Sequence, residues 1–264
     1  MNVLVACEES QVVCKAFRAR GHNAFSCDII ECSGGHPEWH IRWDVKALLN
    51  GRCLFFTQDG RMHELEDRWD MIIFFPPCTF LTNTGNRWFS VERYGEKAIE
   101  REKNRQKAAE FFMMGWNADC DKVVIENPVG YMSTYFRKPD QIVHPYYFAK
   151  EEDDENCERK ATCLWERGVQ PLKYEIKFKP RVIEYKNGKG TDSPWHMNTM
   201  SLPPEERARA RSKTYVGVGE AMAEQWGGEC DDIKCAYYEP IGFCPNCGAY
   251  EREAIEAWNR RVSE

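Results

Sequence analysis

The sequence predicts an α/β protein with a mainly parallel sheet. Through the first half, short apolar, β-rich runs alternate with stretches of helical periodicity, the pattern of strand–helix–strand units. Reactive or acidic residues follow directly after several of those runs, where an open sheet forms its ligand crevice. The chain has 264 residues, 42% of them hydrophobic and 30% charged, and no apolar run approaches the length of a membrane span (about 20 residues). A membrane-spanning protein is therefore not expected.

Taken in order, Asn2–Ala6 reads as the first strand and not as a signal peptide, because Glu8 and Glu9 follow at once and no basic leader precedes it. Residues 11–20 place Val12, Val13, Ala16 and Phe17 at helical spacing, and Gly21 stops the run. Asn23–Asp28 is the second strand, and residues 70–75 and 122–126 are two more. Between these, 91–116 reads as one long helix, with Ala108, Phe111, Phe112 and Gly115 facing the sheet and Lys, Arg and Glu facing water. After Pro128 the pattern loosens. A strand-like KATCLW stretch, a basic region and a helix at 218–226 complete a body of residues 1–228, and composition changes abruptly in 229–264.

Net charge is −6, but 173–213 holds ten Lys and Arg against five Asp and Glu, so one basic segment sits on an acidic body. In it Lys173, Lys177, Lys179, Arg181, Lys186 and Lys189 interleave with Tyr174, Phe178 and Tyr185, and Trp195 and His196 follow. Cations on phosphates and aromatics against bases give this string a nucleic-acid reading. An edge hairpin turning at Asn187–Gly188 explains it equally well. The run from Glu151 to Glu155 reads as a solvated loop.

Thirteen cysteines in a long chain without an export signal read as reduced thiols. Cys230, Cys235, Cys244 and Cys247 have the spacing C-x4-C-x8-C-x2-C, which suits a closed, structural, tetrahedral Zn²⁺ site. A second metal-like spacing, Cys27, Cys32, His36 and His40, is rejected because it flanks Asp28, contains Gly34–Gly35 and lacks a knuckle.

Four strand ends carry the candidate chemistry: Cys7-Glu8-Glu9, Asp28, Pro76-Pro77-Cys78 and Glu126-Asn127-Pro128. FFPPCTFLTNTG and VVIENPVG resemble, in order, the Pro-Cys nucleophile motif and the Glu-Asn motif of the cytosine-5 DNA methyltransferases, in the short form of phage and prophage genomes. SKTYVGVGEAMAEQWG resembles that family's phage-type closing helix, and the likeness spans roughly residues 1–228. It implies a Rossmann-like methyltransferase fold, S-adenosylmethionine as cofactor, double-stranded DNA as partner and a bacterial cytoplasmic address. Cys78 would be the nucleophile and Glu126 the acid at ring nitrogen 3 of cytosine. Cys7, Glu8, Asp28, Asp44 and Pro76 would line the cofactor site, with Asp28 on the ribose diol and Glu8 and Glu9 beside the methionine moiety, meeting its ammonium. Asn127, Arg159 and Lys160 would meet the substrate.

The sequence departs from the family in three ways. ACEESQ lacks the glycines of the cofactor loop, no arginine motif stands out beyond Arg159–Lys160, and only about 40 residues are available for target recognition. Specificity would then be short, relaxed or supplied elsewhere. The tail segment FCPNCGAYEREAIEAWNRR resembles the restriction-alleviation (Lar-type) zinc ribbon, although its upstream cysteine pair is spaced differently. Together these imply DNA modification that protects against restriction. The alternatives are the same chemistry on a free cytosine nucleotide, or a catalytically silent DNA-binding, anti-restriction protein.

Overall fold

A computed structural model describes residues 1–152, 154–185 and 187–228. The zinc-ribbon expectation for the four tail cysteines lies outside the described residues.

The central sheet has seven strands: β1 (Asn2–Ala6), β2 (Asn23–Asp28), β3 (His40–Arg42), β6 (Met71–Phe74), β7 (Lys122–Pro128), β8 (Gln141–Val143) and β9 (Thr162–Arg167). They lie in the order β3-β2-β1-β6-β7-β9-β8. A small antiparallel hairpin, β4 (Cys53–Phe56) and β5 (Met62–Leu65), lies beside β3. Pairing is parallel from β3 through β7, and only β9 runs against its neighbours. This is the mainly parallel α/β architecture that the alternation predicts, and it is compatible with a Rossmann-like fold. The central strands are buried on both faces, which is why β6 reads as an unbroken apolar run, Met-Ile-Ile-Phe.

Helices cover both faces. On one, α1 (Val12–Ala19) and α7 (Val216–Gly227) pack Val13, Phe17, Val218, Met222 and Trp226 against Val3, Val5, Ile73, Val124 and Leu164. On the other, Phe112 and Ala109 join Phe74, Ile125 and Trp165, with Phe55 and Leu65 of the hairpin extending the layer. Each such aliphatic or aromatic side chain contributes about 1.5–3 kcal/mol by leaving water.

The single helix expected over 91–116 is two: α2 (Val91–Tyr94) and α3 (Glu96–Trp116), separated at Gly95, whose φ of +53° breaks the helix. Gly115 lets α3 approach the sheet, because a Cβ there would stand 2.1 Å from Phe74 Cδ1. Short helices α4 (Met132–Tyr135), α5 (Pro194–Thr199) and α6 (Pro204–Ser212) follow. The basic insert also contains the hairpin β10 (Ile183–Glu184) and β11 (Thr191–Asp192), with Gly188 at φ +67° in its turn. A hairpin turning at Asn187–Gly188 is therefore present, with strands of two residues each, while Lys177 and Arg181 of the same segment pair with Glu175 and Glu158. No helix among the described residues is long and apolar enough to cross a membrane.

Candidate active site at the carboxyl ends of the strands

The chain winds outward from β1 to β2 and β3, then returns to place β6 on the other side of β1. The order of strands reverses between β1 and β6, and the crevice beyond their carboxyl ends is where an open α/β sheet binds its ligand. Cys7-Glu8-Glu9 leaves one side of this crevice and Pro76-Pro77-Cys78 the other.

The turn bearing Cys78 forms because two prolines cannot donate to a ladder. Phe75 N–H makes the last bond to Ala6 at 2.9 Å, and the chain then folds over Cys78, whose carbonyl accepts from Leu81 N at 2.9 Å and Thr82 N at 3.0 Å. The Cys78 thiol is half-buried. Burial raises its pKa, the Glu126 carboxylate raises it further, and the Lys160 ammonium draws it back down.

The turn of Glu126, the expected acid, is bonded directly to the turn of Cys78, the expected nucleophile. Asn127, 1% exposed, donates from Nδ2 to the Pro76 carbonyl at 3.0 Å. Tyr131 N donates to Leu81 O at 2.7 Å and Asn83 N to Val129 O at 3.3 Å. Gly130 permits this approach, since a Cβ would stand 1.9 Å from Leu81 O. Asn127 thus joins the two turns instead of facing open solvent, and its buried Oδ1 has no hydrogen-bond partner among the described residues. The carbonyl of buried Pro76 is occupied in the same bond. Glu126 accepts no hydrogen bond from the described residues; burial pushes its carboxyl pKa up and Lys160 opposes the shift.

Three successive residues before β9 moor the basic insert. Glu158 pairs with Arg181 at 2.9 Å. Arg159 donates to Thr191 O at 3.3 Å, while its carbonyl accepts from Ser193 Oγ at 2.7 Å. Lys160 Nζ donates to Arg211 O at 3.0 Å and Lys213 O at 3.3 Å. Of the two cations expected at the substrate, Lys160 acts on Cys78 and Glu126, whereas the exposed Arg159 is turned to the insert.

After β1, Cys7 is half-buried at φ +59°, a left-handed turn made without glycine. Its thiol pKa is raised by burial, then by Asp28, Cys27 and Asp44, so these groups lie together. Asp28 ends β2, accepts from Ile30 N at 3.2 Å, and is raised chiefly by burial. Exposed Asp44 caps a short helix, accepting from Lys46 N at 3.1 Å.

Glu8 has a different place from the one expected. It is 4% exposed, and its two carboxylate oxygens accept from Val13 N at 2.6 Å and Cys14 N at 3.1 Å. The first-turn amides of α1 attract this carboxylate, so it closes the helix and leaves the crevice to its neighbour. Burial nevertheless raises its pKa to about 7. Glu9 accepts from Ser33 Oγ and meets Arg209 of α6 at 3.5 Å.

Gln11, fully buried at φ +59°, pins the loop after β2 by accepting from His36 N at 3.0 Å and donating to His36 O at 2.8 Å. The sequence offered no signal for either interaction, because both depend on contacts between distant segments. The rejected metal-like residues serve the fold: Cys27 is core, His40 is buried between Ser26 Oγ and Ile30 O, and His36 stacks on Trp39 at 3.8 Å.

No protein-family model and no curated protein matches the chain.

Proposed function

We propose that this chain transfers a methyl group to carbon 5 of cytosine in double-stranded DNA. The observation that carries the reading is the Asn127–Pro76 bond, which joins the turn bearing a partly exposed thiol to the turn bearing an unpartnered carboxyl, at the reversal point of the sheet.

Carbon 5 of cytosine is a weak nucleophile, so the Cys78 thiolate adds to carbon 6 and moves the electron pair toward carbon 5. Glu126, whose carboxyl pKa burial pushes up, gives a proton to ring nitrogen 3 as negative charge builds there. After methylation a water molecule takes the carbon 5 proton, the electron pair of that bond expels Cys78 as thiolate, and nitrogen 3 returns its proton to the Glu126 carboxylate. Lys160 stabilises the thiolate before attack and after expulsion.

The cofactor-side residues suit S-adenosylmethionine, which supplies the methyl group. Asp28 fits the ribose diol, Ile29 and Trp43, 72% and 51% exposed, offer apolar surface to the base, and Glu9 offers a carboxylate to the ammonium. Cys7 gives the turn its left-handed residue, and Asp44 lies at the base side. Lys177, Lys179 and Arg181 of the insert would meet phosphate. The biological role would be protection of phage or prophage DNA inside a bacterial cell. In 229–264, Cys230, Cys235, Cys244 and Cys247 would hold one structural zinc ion; truncation after Gly228 should remove the metal and leave methylation of short DNA measurable.

Transfer of labelled methyl to duplex DNA, abolished in Cys78→Ala, tests the reading. The shortness of the insert favours a second substrate, a free cytosine nucleotide. Methylation of the nucleotide with no salt-sensitive DNA binding would select it.

A further inference from the structure

By sequence the polar side of α3 faces water, but two of its cations are turned toward the catalytic turns. Arg101 and Arg105, four residues apart, share one side of the helix. Arg101 Cζ lies 5.1 Å from the Phe80 ring centre and 4.9 Å from that of Phe89. Arg105 Cζ lies 3.2 Å from the Phe89 ring centre and 4.8 Å from that of Tyr131. Three rings and two guanidinium groups therefore alternate in the sequence Phe80, Arg101, Phe89, Arg105, Tyr131.

The ends of this series belong to the two turns. Phe80 lies two residues after Cys78, Phe89 closes the 3-10 helix Asn83–Phe89, and Tyr131 follows Gly130 on the acid turn. Arg101 Nη2 also donates to Thr79 O at 3.2 Å, beside the nucleophile, and Gln106 Nε2 donates to the Tyr131 hydroxyl at 3.2 Å. Arg105 is 14% exposed at its side chain, and among the described residues its only counter-charge is Glu102 at 3.5 Å. The buried Nε of both arginines has no hydrogen-bond partner among the described residues. Burying such a cation is unfavourable unless something replaces its water, and a planar, weakly hydrated guanidinium between ring faces meets that need where an ammonium would not.

We propose that Arg101 and Arg105 are positioning residues, whose stack between Phe80, Phe89 and Tyr131 fixes the turn of Cys78 relative to the turn of Glu126. The kinetic part rests on the reading of Cys78 and Glu126 as nucleophile and acid; the stacking part stands alone. Displacement of a reacting group by about 1 Å through a distant change can cost about 100-fold in rate, so loss of the stack should act on turnover and not on cofactor affinity.

The test uses full-length protein with Arg105→Met, Arg105→Lys and Arg101→Met. Trypsin nicking after the exposed Arg87 and Arg93 and iodoacetamide labelling of Cys78 report the turn without requiring catalysis. Faster nicking and altered labelling are expected in Arg105→Met, with kcat on DNA reduced about 100-fold and the cofactor KM within about threefold of wild type. Arg105→Lys, which keeps charge but not the plane, should recover only part of the loss. Wild-type nicking, labelling and kcat in Arg105→Met would overturn the proposal, as would full recovery by lysine. If Arg105→Met does not fold, Arg101→Met and Arg105→Lys give the same readouts. Faster nicking in the variants with no methylation even by wild type would retain the stack and reject the reaction.

Discussion

Two carboxyls on adjacent strands of one sheet, Glu126 and Glu166, meet different surroundings. Glu126 on β7 pairs in register with Leu164, and Glu166 on β9 pairs with Val124, so they stand two residues apart in register on the face covered by α1 and α7. Burial pushes both carboxyls up. Glu166 is 8% exposed, its two oxygens lack partners among the described residues, and Asp140 raises it further, to about 7. Its potential counter-charge, Arg137, is committed to Asp140 at 2.6 Å. Glu126 instead lies at the strand's carboxyl end, in reach of the charge of Cys78 and Lys160. Desolvation raises a pKa at either place and a cation opposes it at either place; only the crevice end adds a thiol beside the raised acid.

The largest expected effect belongs to the nucleophile. Cys78→Ala should remove methyl transfer while cofactor binding persists, measured by labelled transfer and by calorimetry. Glu126→Gln should then lower kcat by about a hundred- to ten-thousand-fold, the usual contribution of a positioned acid, with cofactor affinity unchanged. Glu166→Gln should leave kcat near wild type. Equal losses in the two glutamine variants would break the comparison.

Lys160→Met sharpens it further. Without the ammonium, the pKa values of Cys78 and Glu126 both rise, so less thiolate is available at neutral pH and activity should recover as pH increases. Glu166 should not respond. A pH–rate profile identical to wild type would remove Lys160 from the site.

A smaller, purely energetic effect should appear at Glu166. Its folded pKa, about 7, exceeds the ordinary 4.5, so its contribution to stability is fully present below pH 4.5 and is lost as pH rises toward 7. Glu166→Gln avoids that loss. It should equal wild type near pH 4 and exceed it at pH 8 by about 1–3 kcal/mol, since each pH unit separating the folded and unfolded pKa values is worth roughly 1.4 kcal/mol. Glu8, also about 7, imposes the same descent on both proteins, so the difference between their denaturation curves isolates Glu166.

The carboxyl ends of β6 and β7 are legible in the sequence because their information is local. Pro76-Pro77 stops the strand before it, β1 and β2 match their expected limits, and the turns of Cys78 and Glu126 are marked by two short motifs. Glu8 is not, because identical neighbouring carboxylates differ only in direction, which the left-handed Cys7 and Gln11 decide. Arg101 and Arg105 read as solvent-facing charges because the rings that receive them come from other segments. The short strands β3 and β8 have too few residues for periodicity to show, and one positive φ at Gly95 divides a helix whose composition is continuous.

The most direct test of the chemistry is covalent trapping on duplex DNA containing 5-fluorocytosine, in the presence of S-adenosylmethionine. Fluorine on carbon 5 cannot leave as a proton, so the adduct should persist, with the DNA attached to the peptide bearing Cys78, and it should vanish in Cys78→Ala. An adduct mapped to another cysteine, or none from wild-type protein that binds both DNA and cofactor, would contradict the account.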